Sequence, residues 1–487
     1  MAKTREFGGI KLTEVEKHVW EIPKSGNMNV PARIFASEKL LERIEGDKTI
    51  EQAKNVACMP GIYKAAMTMP DAHQGYGFPI GGVAALDAKD GAISPGGVGY
   101  DINCGVRMLL TNLTKDEVEP VKVKLIEQIF KEVPSGLGSE GKIRVDDKTL
   151  KEVLKKGSRW AVENGYGWPE DLERTESNGE IKEADPETIS KEAMKRGRPQ
   201  LGSLGAGNHF LEIQVVDKIF DKKIAKEWGI EKEGQVTVMI HCGSRGLGHQ
   251  TCSDFLRRME HEYADIIKTL PDRELVYAPA NSQTAKDYFG AMSASANYAW
   301  VNRQMIMHWV RGAFEKVFGK SAKDLGMHLV YDVAHNMAKL EEHEIDGKKR
   351  KVYVHRKGAT RAFPAGHPEL PKIYQKTGQP VIIPGSMGTA SYLLVGTEKG
   401  FRETFGSTAH GAGRVMSRHE AMRQFRGEQV KADLEKKGIY VRSASWKGIA
   451  EEAPGVYKDI DEVVKVSHEV GIGNLVVRVV PIGVVKG

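Results

Sequence analysis

Cysteine is scarce in this chain, and its spacing excludes more than its number does. Cys58, Cys104, Cys242 and Cys252 form no C-x-x-C pair, which removes zinc ribbons and thioredoxin-type redox motifs, and four isolated thiols make no disulfide framework. No run reaches the ~18 apolar residues needed to span a bilayer. The opening Met1-Ala2-Lys3-Thr4-Arg5-Glu6 lacks the apolar stretch of a secretory leader. These absences point to a cytoplasmic protein with no membrane segment. Aromatic residues are only 7% of the chain, which argues against a surface built mainly from base-stacking platforms. The net charge of +6 is modest; it permits a polyanionic partner without demanding one. Low-complexity tracts, internal repeats and Pro- or Ser-rich linkers are also missing.

Glycine, by contrast, is abundant: 53 of 487 residues, against about one in fourteen for an average chain. Many glycines stand beside His, Asn and Ser, where a backbone without side chains lets a loop approach a ligand closely. Helical periodicity predicts helices at Ser37–Ile44, Val121–Val133, Asp254–Leu270 and Gln283–Phe318. In the third, Phe255, Leu256, Met259, Tyr263, Ile266, Ile267 and Leu270 make one apolar face. Short apolar runs predict buried strands at Val236–Ile240, Leu329–Val333, Val381–Ile383 and Leu475–Val480. Three of these lead straight into unusual residues: His241-Cys242-Gly243-Ser244-Arg245-Gly246, Ala334-His335-Asn336, and Pro384-Gly385-Ser386-Met387-Gly388. In open α/β sheets ligand sites gather beyond strand ends. Candidate functional residues run from Asp101 to the C-terminus, which favours one integrated α/β (α+β) domain over residues 1–487. The polar, charged stretch Asn164–Arg198 reads as a surface insertion with one or two short helices.

Five constellations carry chemistry. Asp101 and Cys104 stand three apart behind the glycine-rich Pro95–Gly99 and are able to share a metal, which would favour their deprotonated forms. Gly202-Ser-Leu-Gly205-Ala-Gly207-Asn208-His209 superficially resembles a dinucleotide fingerprint. The spacing is wrong, and Phe210–Val216 alternates like a strand where a helix should begin. His241 and His335-Asn336 end strands. With His209, Cys104 and Asp101, these histidines make a plausible two-metal set with a bridging thiolate, for which ligand softness alone points to zinc. Lastly, His410 is flanked by glycine-rich segments and followed by Arg414. Such a loop is able to cradle phosphate on its backbone N–H groups and present a histidine nucleophile. Taken singly each has a plain structural explanation: Cys104 as a small buried side chain, the strand-end histidines as satisfied core residues, His410 as a turn residue. Two look-alikes fail. Gly319-Lys320-Ser321 has Phe314 where a P-loop needs its first glycine. Glu344-Ile345-Asp346-Gly347 has Glu where nucleotidyltransferases place their lysine, so a ligase here would not use a lysine–nucleotide intermediate.

Taken together, Asp101-x-x-Cys104-Gly-x-Arg107, Gly205-x-Gly-Asn-His209-Phe-x-Glu212, His241-x-Gly-Ser-Arg-Gly246, Asp332-x-x-His335-Asn336, Pro384-Gly-Ser-Met-Gly388 and His410-Gly-Ala-Gly-Arg414 resemble the RtcB family of tRNA-splicing ligases. The resemblance runs from the N-terminal region to the last residues. It implies a single domain with central packed sheets surrounded by helices, and a cleft with a basic rim. It implies an RNA ligase that joins 2′,3′-cyclic phosphate or 3′-phosphate ends to 5′-hydroxyl ends, with GTP and two Mn(II) ions as cofactors and His410 as the guanylylated nucleophile. By the same resemblance Asp101, Cys104, His209, His241 and His335 are metal ligands, with Cys104 shared. Asn208, Asn336, Ala412 and Arg414 are phosphate contacts. Glu212, Ser391, Tyr457 and Lys486 form the guanine pocket beside Phe210, and Pro384, Ser386, Met387, Gly411 and Gly413 complete the GTP site. Arg196, Arg245 and Arg418 are candidates for RNA phosphate. The implied partners are tRNA halves or other cleaved RNA and an archease-type activating protein, with the ligase itself a monomer. Two other readings stand beside it: a binuclear metallophosphoesterase acting on nucleic acid, and a non-catalytic RNA-binding protein.

Overall fold

Two large sheets organise the chain in the computed structural model, which describes residues 3–487. The first runs in the spatial order Thr4–Phe7, Ile10–Glu16, Val19–Ile22, Ala32–Phe35, Ala66–His73, Ile80–Asp87, Lys348–Lys357, Asn336–Ile345. All its pairings are antiparallel except Ala32–Phe35 with Ala66–His73. The second runs Leu329–Ala334, Gly105–Thr114, Gln235–Cys242, Phe210–Ile219, Asn474–Lys486, Ser391–Val395, Pro380–Ile383, antiparallel throughout. Tyr440–Ser443 adds a parallel strand alongside Asn474–Lys486. Helices flank both sheets, as expected of a mixed α/β domain. Among the described residues no helix is long and apolar enough to cross a membrane.

The predicted helix Gln283–Phe318 has those bounds in the structure. Both its ends are written locally: Ser282 accepts a hydrogen bond from the Ala285 N–H, and Gly319 closes the helix at φ 65°. Gly319-Lys320-Ser321 is therefore a helix stop. The helix is apolar on nearly every side and correspondingly buried, with Met292, Trp300, Met305 and Phe314 shielded from solvent. Burying each such side chain contributes about 2 kcal/mol. It packs against the helices Lys122–Glu132, Asp147–Lys156 and Arg245–Glu262.

Other boundaries moved. Ser37–Ile44 is the shorter helix Glu38–Glu42, capped by Ser37, and Val121–Val133 is Lys122–Glu132. The helix predicted at Asp254–Leu270 starts at Arg245, stops at Glu262 and resumes as Ala264–Ile267. Its first turns hold Gly246 and Gly248, which read as loop. Gly248 is there because a Cβ would stand 1.9 Å from the Ser244 Oγ. The predicted strand Leu475–Val480 continues to Lys486 because the register shifts between Pro481 and Gly483, so a bulge absorbs the proline. Glu344–Gly347 lies at a hairpin turn, with Asp346 and Gly347 both at positive φ, between the strands Asn336–Ile345 and Lys348–Lys357. The stretch 164–198 does carry short helices, Pro169–Glu173 and Lys191–Gly197. It also sends Asp171 inward to Arg311 and Glu176 inward to Lys339.

Candidate active site

Antiparallel pairing explains why side chains far apart in sequence meet. In such a sheet the end of one strand lies beside the beginnings of its neighbours. Gln235–Cys242 places His241 opposite Val106 on one side and Phe210 on the other. Cys104 and His209 immediately precede those two strands. Ala334 pairs with Gly105, which brings His335 to the same edge. These strand ends thus meet through antiparallel register, and not through the parallel-sheet rule that drew attention to them.

Two triads form there, Asp101–Cys104–His209 and Cys104–His241–His335, with Cys104 common to both. The Cys104 Sγ lies 3.6 Å from His209 Nε2 and 3.2 Å from His241 Nε2. His241 Nε2 is 3.3 Å from His335 Nε2, and His209 Nε2 is 2.8 Å from Asp101 Oδ2. Ligands 2.0–2.3 Å from a tetrahedral ion stand about 3.3–3.8 Å apart, a range that two of these four separations meet, while the His209–Asp101 distance is that of a direct hydrogen bond. His209 is held by its other ring nitrogen, 3.0 Å from the Leu204 carbonyl oxygen, as ligating imidazoles usually are. Nδ1 of His241 and of His335 is buried without a hydrogen-bond partner. Burial, reinforced by the charges of neighbouring residues, keeps both of these imidazoles well below their ordinary pKa and so neutral, which is the ligating form. Burial, then Asp101, push the Cys104 thiol up to about 12. A metal ion would have to expel that proton. Burial works against ionisation of Asp101, but His209 outweighs it and holds the carboxyl at about 2.

His410 stands beside this cluster, its ring centre 4.9 Å from that of His335. Its Nδ1 is 2.5 Å from Asp71 Oδ2, and the same oxygen accepts the backbone N–H groups of His410 and Gly411 at 2.9 and 3.1 Å. Asp71 is fully buried. With Nδ1 engaged, Nε2 is the ring nitrogen left for chemistry. Gly413 is at φ +75°, and a Cβ there would come 1.9 Å from the Asp71 carbonyl oxygen. The loop therefore closes on Asp71 only with glycine at this position.

One cavity of about 260 Å³ opens onto His241, His335 and His410, while Asp101, Cys104 and His209 do not line it. Its wall includes His241, His335, His410, the loop Gly411–Arg414, Pro384, Ser386 and Met387, with Asn208, Phe210, Asn336, Tyr457 and Lys486. Arg418 also borders it. Glu212 and Ser391 do not reach the wall. They are buried behind it and joined through Gln214 Nε2, which donates to both at 2.7 and 3.3 Å. Burial pushes the Glu212 carboxyl up to about 8. Asn336 is occupied in bracing the loop, donating to the Asp101 carbonyl oxygen and accepting from the Gly358 N–H. Arg414 donates to Glu452 at 2.9 Å and to the Glu451 carbonyl oxygen at 3.0 Å. Of the other arginines, Arg245 lies near Ser203 and Gly205, and exposed Arg196 bonds Gln250 outside the cavity.

Three participants escaped the sequence. Asp71 and cavity-lining His73 occupy the end of the strand Ala66–His73, just before Gly75. That is the same strand-then-glycine layout seen at His241, and it was the available signal. Glu452 gave none: it is a buried carboxylate that binds Arg414, Tyr457 and Lys486. His249, stacked on Tyr100, and His355, accepting from the Ser94 N–H, lie outside the cavity lining. All four cysteines are free.

Comparison with known proteins gives a consistent result. The model of the tRNA-splicing ligase RtcB family matches residues 52–487. A tRNA-splicing ligase RtcB of Thermococcus kodakarensis is 60% identical over 479 residues, covering 98% of this chain and 99% of its own. Those of Archaeoglobus fulgidus and Pyrobaculum aerophilum are 59% and 56% identical, each over 98% of this chain and 99% of its own length.

Proposed function

Since the chain belongs to the tRNA-splicing ligase RtcB family, we propose that it is an RNA ligase joining 2′,3′-cyclic phosphate or 3′-phosphate ends to 5′-hydroxyl ends through a guanylylated His410. The observation that carries this reading is the single cavity onto which His410, its glycine loop, two histidines of a metal triad and Lys486 all face. Neither a binuclear phosphoesterase nor a non-catalytic RNA-binding protein is favoured at this level of family identity.

In this mechanism Asp71 fixes the imidazole through Nδ1, and Nε2 attacks the α-phosphorus of GTP. An N–P bond forms as the bond to the bridging oxygen breaks, and pyrophosphate leaves with the electron pair. Asp71 balances the positive charge that the ring acquires. An oxygen of the RNA 3′-phosphate then attacks the same phosphorus and the N–P bond breaks, returning the imidazole. Finally the 5′-hydroxyl attacks the activated RNA phosphorus and GMP departs. A cyclic end must first be opened by water to the 3′-phosphate. Two Mn(II) ions, held by Asp101, Cys104 and His209 and by Cys104, His241 and His335, would neutralise and align the phosphoryl oxygens.

Asn208, Asn336, the Ala412 backbone and Arg414 hold phosphate. Tyr457, Lys486, Phe210 and the loop Pro384–Met387 hold the nucleotide, with Glu212 and Ser391 behind them reading guanine. At neutral pH Glu212 carries a proton and has an O–H to donate. Arg418, which borders the cavity, is assigned to RNA phosphate in this reading, together with Arg245 and Arg196 farther from it. The reading extends to a monomeric, cytoplasmic enzyme in which residues 1–487 act as one ligase domain on tRNA halves or other cleaved RNA, with an archease-type protein as activator.

Incubation with α-labelled GTP and Mn(II) tests it. Wild-type protein should acquire an acid-labile, alkali-stable label on the peptide containing His410, and His410→Ala should bind metal but take no label. GMP on a lysine, on His249 or on His355 would overturn the assignment.

A further inference from the structure

Arg303 projects from the long helix Gln283–Phe318 and is wholly shielded from solvent. All five of its N–H donors are used. Nε and Nη2 grip the two oxygens of Asp332 at 2.8 Å each. Nη1 donates to the carbonyl oxygens of Asn103 at 2.7 Å and Cys242 at 2.8 Å. Nη2 also donates to the Asn103 side-chain oxygen at 2.9 Å.

These partners share one property. Asn103 precedes Cys104, Cys242 follows His241, and Asp332 lies in the strand that delivers His335. One guanidinium therefore touches each of the three chain segments that supply the triad Cys104–His241–His335. Asn103 is held at φ +51°, a left-handed conformation unusual for a side-chain-bearing residue. Its side chain is braced further by donation to the Ala296 carbonyl oxygen at 2.7 Å. The packing leaves no slack: a Cβ on Gly105 would stand 3.0 Å from the guanidinium carbon and 2.6 Å from the Val333 carbonyl oxygen. Neighbouring Arg107 also binds Asp332, at 2.7 Å, but its other polar partners are the side chains of Gln304 and Met307. A planar fork of five donors fixes the separation of its acceptors in a way a flexible ammonium does not.

We propose that Arg303 is a positioning residue that sets the spacing of Cys104, His241 and His335, and with it the geometry of the metal pair. The inference rests on the two-metal reading of the ligase. Arg311 supplies a matched control. It leaves the same helix two turns later, is also buried, and binds Asp171 through both oxygens at 2.8 Å together with the Met327 carbonyl oxygen, touching no ligand-bearing segment.

The experiment compares Arg303→Lys, Arg311→Lys and wild type, using cobalt(II) as the probe ion. Thermal melts of the metal-free proteins report stability, and a cobalt titration reports affinity and the thiolate-to-cobalt absorption that Cys104 must give. Both variants should melt earlier. Only Arg303→Lys should lose cobalt affinity, by about 10- to 100-fold, with a weakened thiolate band; Arg311→Lys should keep both. Wild-type affinity and band in Arg303→Lys overturn the proposal, and so does an equal loss in Arg311→Lys. If Arg303→Lys does not fold, Asn103→Gly carries the test. It tolerates the left-handed backbone and removes one acceptor, so a smaller loss in the same direction is expected, and unchanged binding overturns the proposal. A wild-type protein with no thiolate band overturns the metal reading itself, a result distinct from a band that survives in Arg303→Lys.

Discussion

Asp71→Asn changes one atom of the buried carboxylate that holds His410, and its cost follows from the bonds present. Asp71 Oδ2 accepts three N–H groups, two from the backbone and one from the ring. Bonds to an ionised acceptor are each worth about 1 kcal/mol more than bonds to a neutral one, so losing the charge weakens the set by about 3 kcal/mol. An amide oxygen is still able to accept the two backbone bonds, so the fold should survive. The ring suffers more. On attack His410 becomes cationic, and the neutral amide no longer balances it. If the amide flips, its NH2 faces Nδ1, the ring proton moves to Nε2, and the nucleophilic lone pair is lost. At one decade per 1.36 kcal/mol, the label should attach roughly 10²- to 10⁴-fold more slowly, the upper end matching an Asp→Asn change in a serine protease triad. The pH dependence of stability has a definite sign. Burial works against ionisation of Asp71, but His410 and the two amides outweigh it and hold its pKa below the ordinary 3.8. Its contribution is therefore fully present above about pH 4 and is lost as pH falls through the lower folded-state value. Wild-type and variant melting curves should converge only in that acid range. Single-turnover labelling at saturating GTP, with bound metal and melting temperature as controls, is the assay. Labelling within a few-fold of wild type would refute the role given to Asp71.

Three further perturbations probe other parts of the site. Cys104→Ala removes the donor common to both triads, so elemental analysis should find both ions lost and ligation undetectable; retention of two ions would rule out sharing. Gly413→Ala combines an unfavourable φ of +75° with a Cβ 1.9 Å from the Asp71 carbonyl oxygen. It should cost about 1–2 kcal/mol for the backbone alone and more for the displaced Asp71, and adduct formation at the wild-type rate would show that the loop is looser than drawn. Glu212 has a folded pKa of about 8, raised by burial, against an ordinary value near 4.5. Folded protein thus binds a proton that unfolded protein has released, and stability falls as pH rises from about 4.5 to 8, by a few kcal/mol in all. Glu212→Gln should remove that slope in melts between pH 5 and 9, whereas parallel curves would contradict a protonated Glu212.

The residues that could be read from the sequence are those whose signal is local. Cys104, His209, His241, His335 and His410 each stand within two residues of a glycine or at the end of an apolar run, and the caps of Gln283–Phe318 lie next to the helix they close. What could not be read depends on partners distant in the chain. His410 and Asp71 are 339 residues apart, and nothing near Asp71 announces that its acceptor faces a histidine. Glu452 is equally silent, because its task is set by Arg414, Tyr457 and Lys486. Register is non-local in the same sense: a one-residue slip turns a strand over, and periodicity alone does not say that His241 lies opposite Phe210. The strand extends through Pro481, beyond the apolar run Leu475–Val480, because the bulge that admits a proline exists only in relation to its neighbour. Glu212 and Ser391 keep their expected neighbourhood but stand behind the wall, a depth that motif spacing does not encode.

The polar groups buried around the cavity fall into two kinds, and the contrast bears on how the site is kept. Arg303 has every donor matched, on both oxygens of Asp332, the carbonyl oxygens of Asn103 and Cys242 and the Asn103 side chain. Nearby, Nδ1 of His241 and of His335 and one oxygen of Asp71 are buried without a partner. Each such group costs about 1–3 kcal/mol when buried alone. Groups of this kind stay in place only where surrounding structure leaves them no better arrangement. Here that structure is the arginine–carboxylate network together with the buried face of the long helix. Metal binding would act on the same balance, since it requires the Cys104 thiol to give up a proton that burial otherwise secures and ties four chain segments to a common centre. Metal loading would therefore couple to folding, with Arg303 tying together the segments that carry Cys104, His241 and His335.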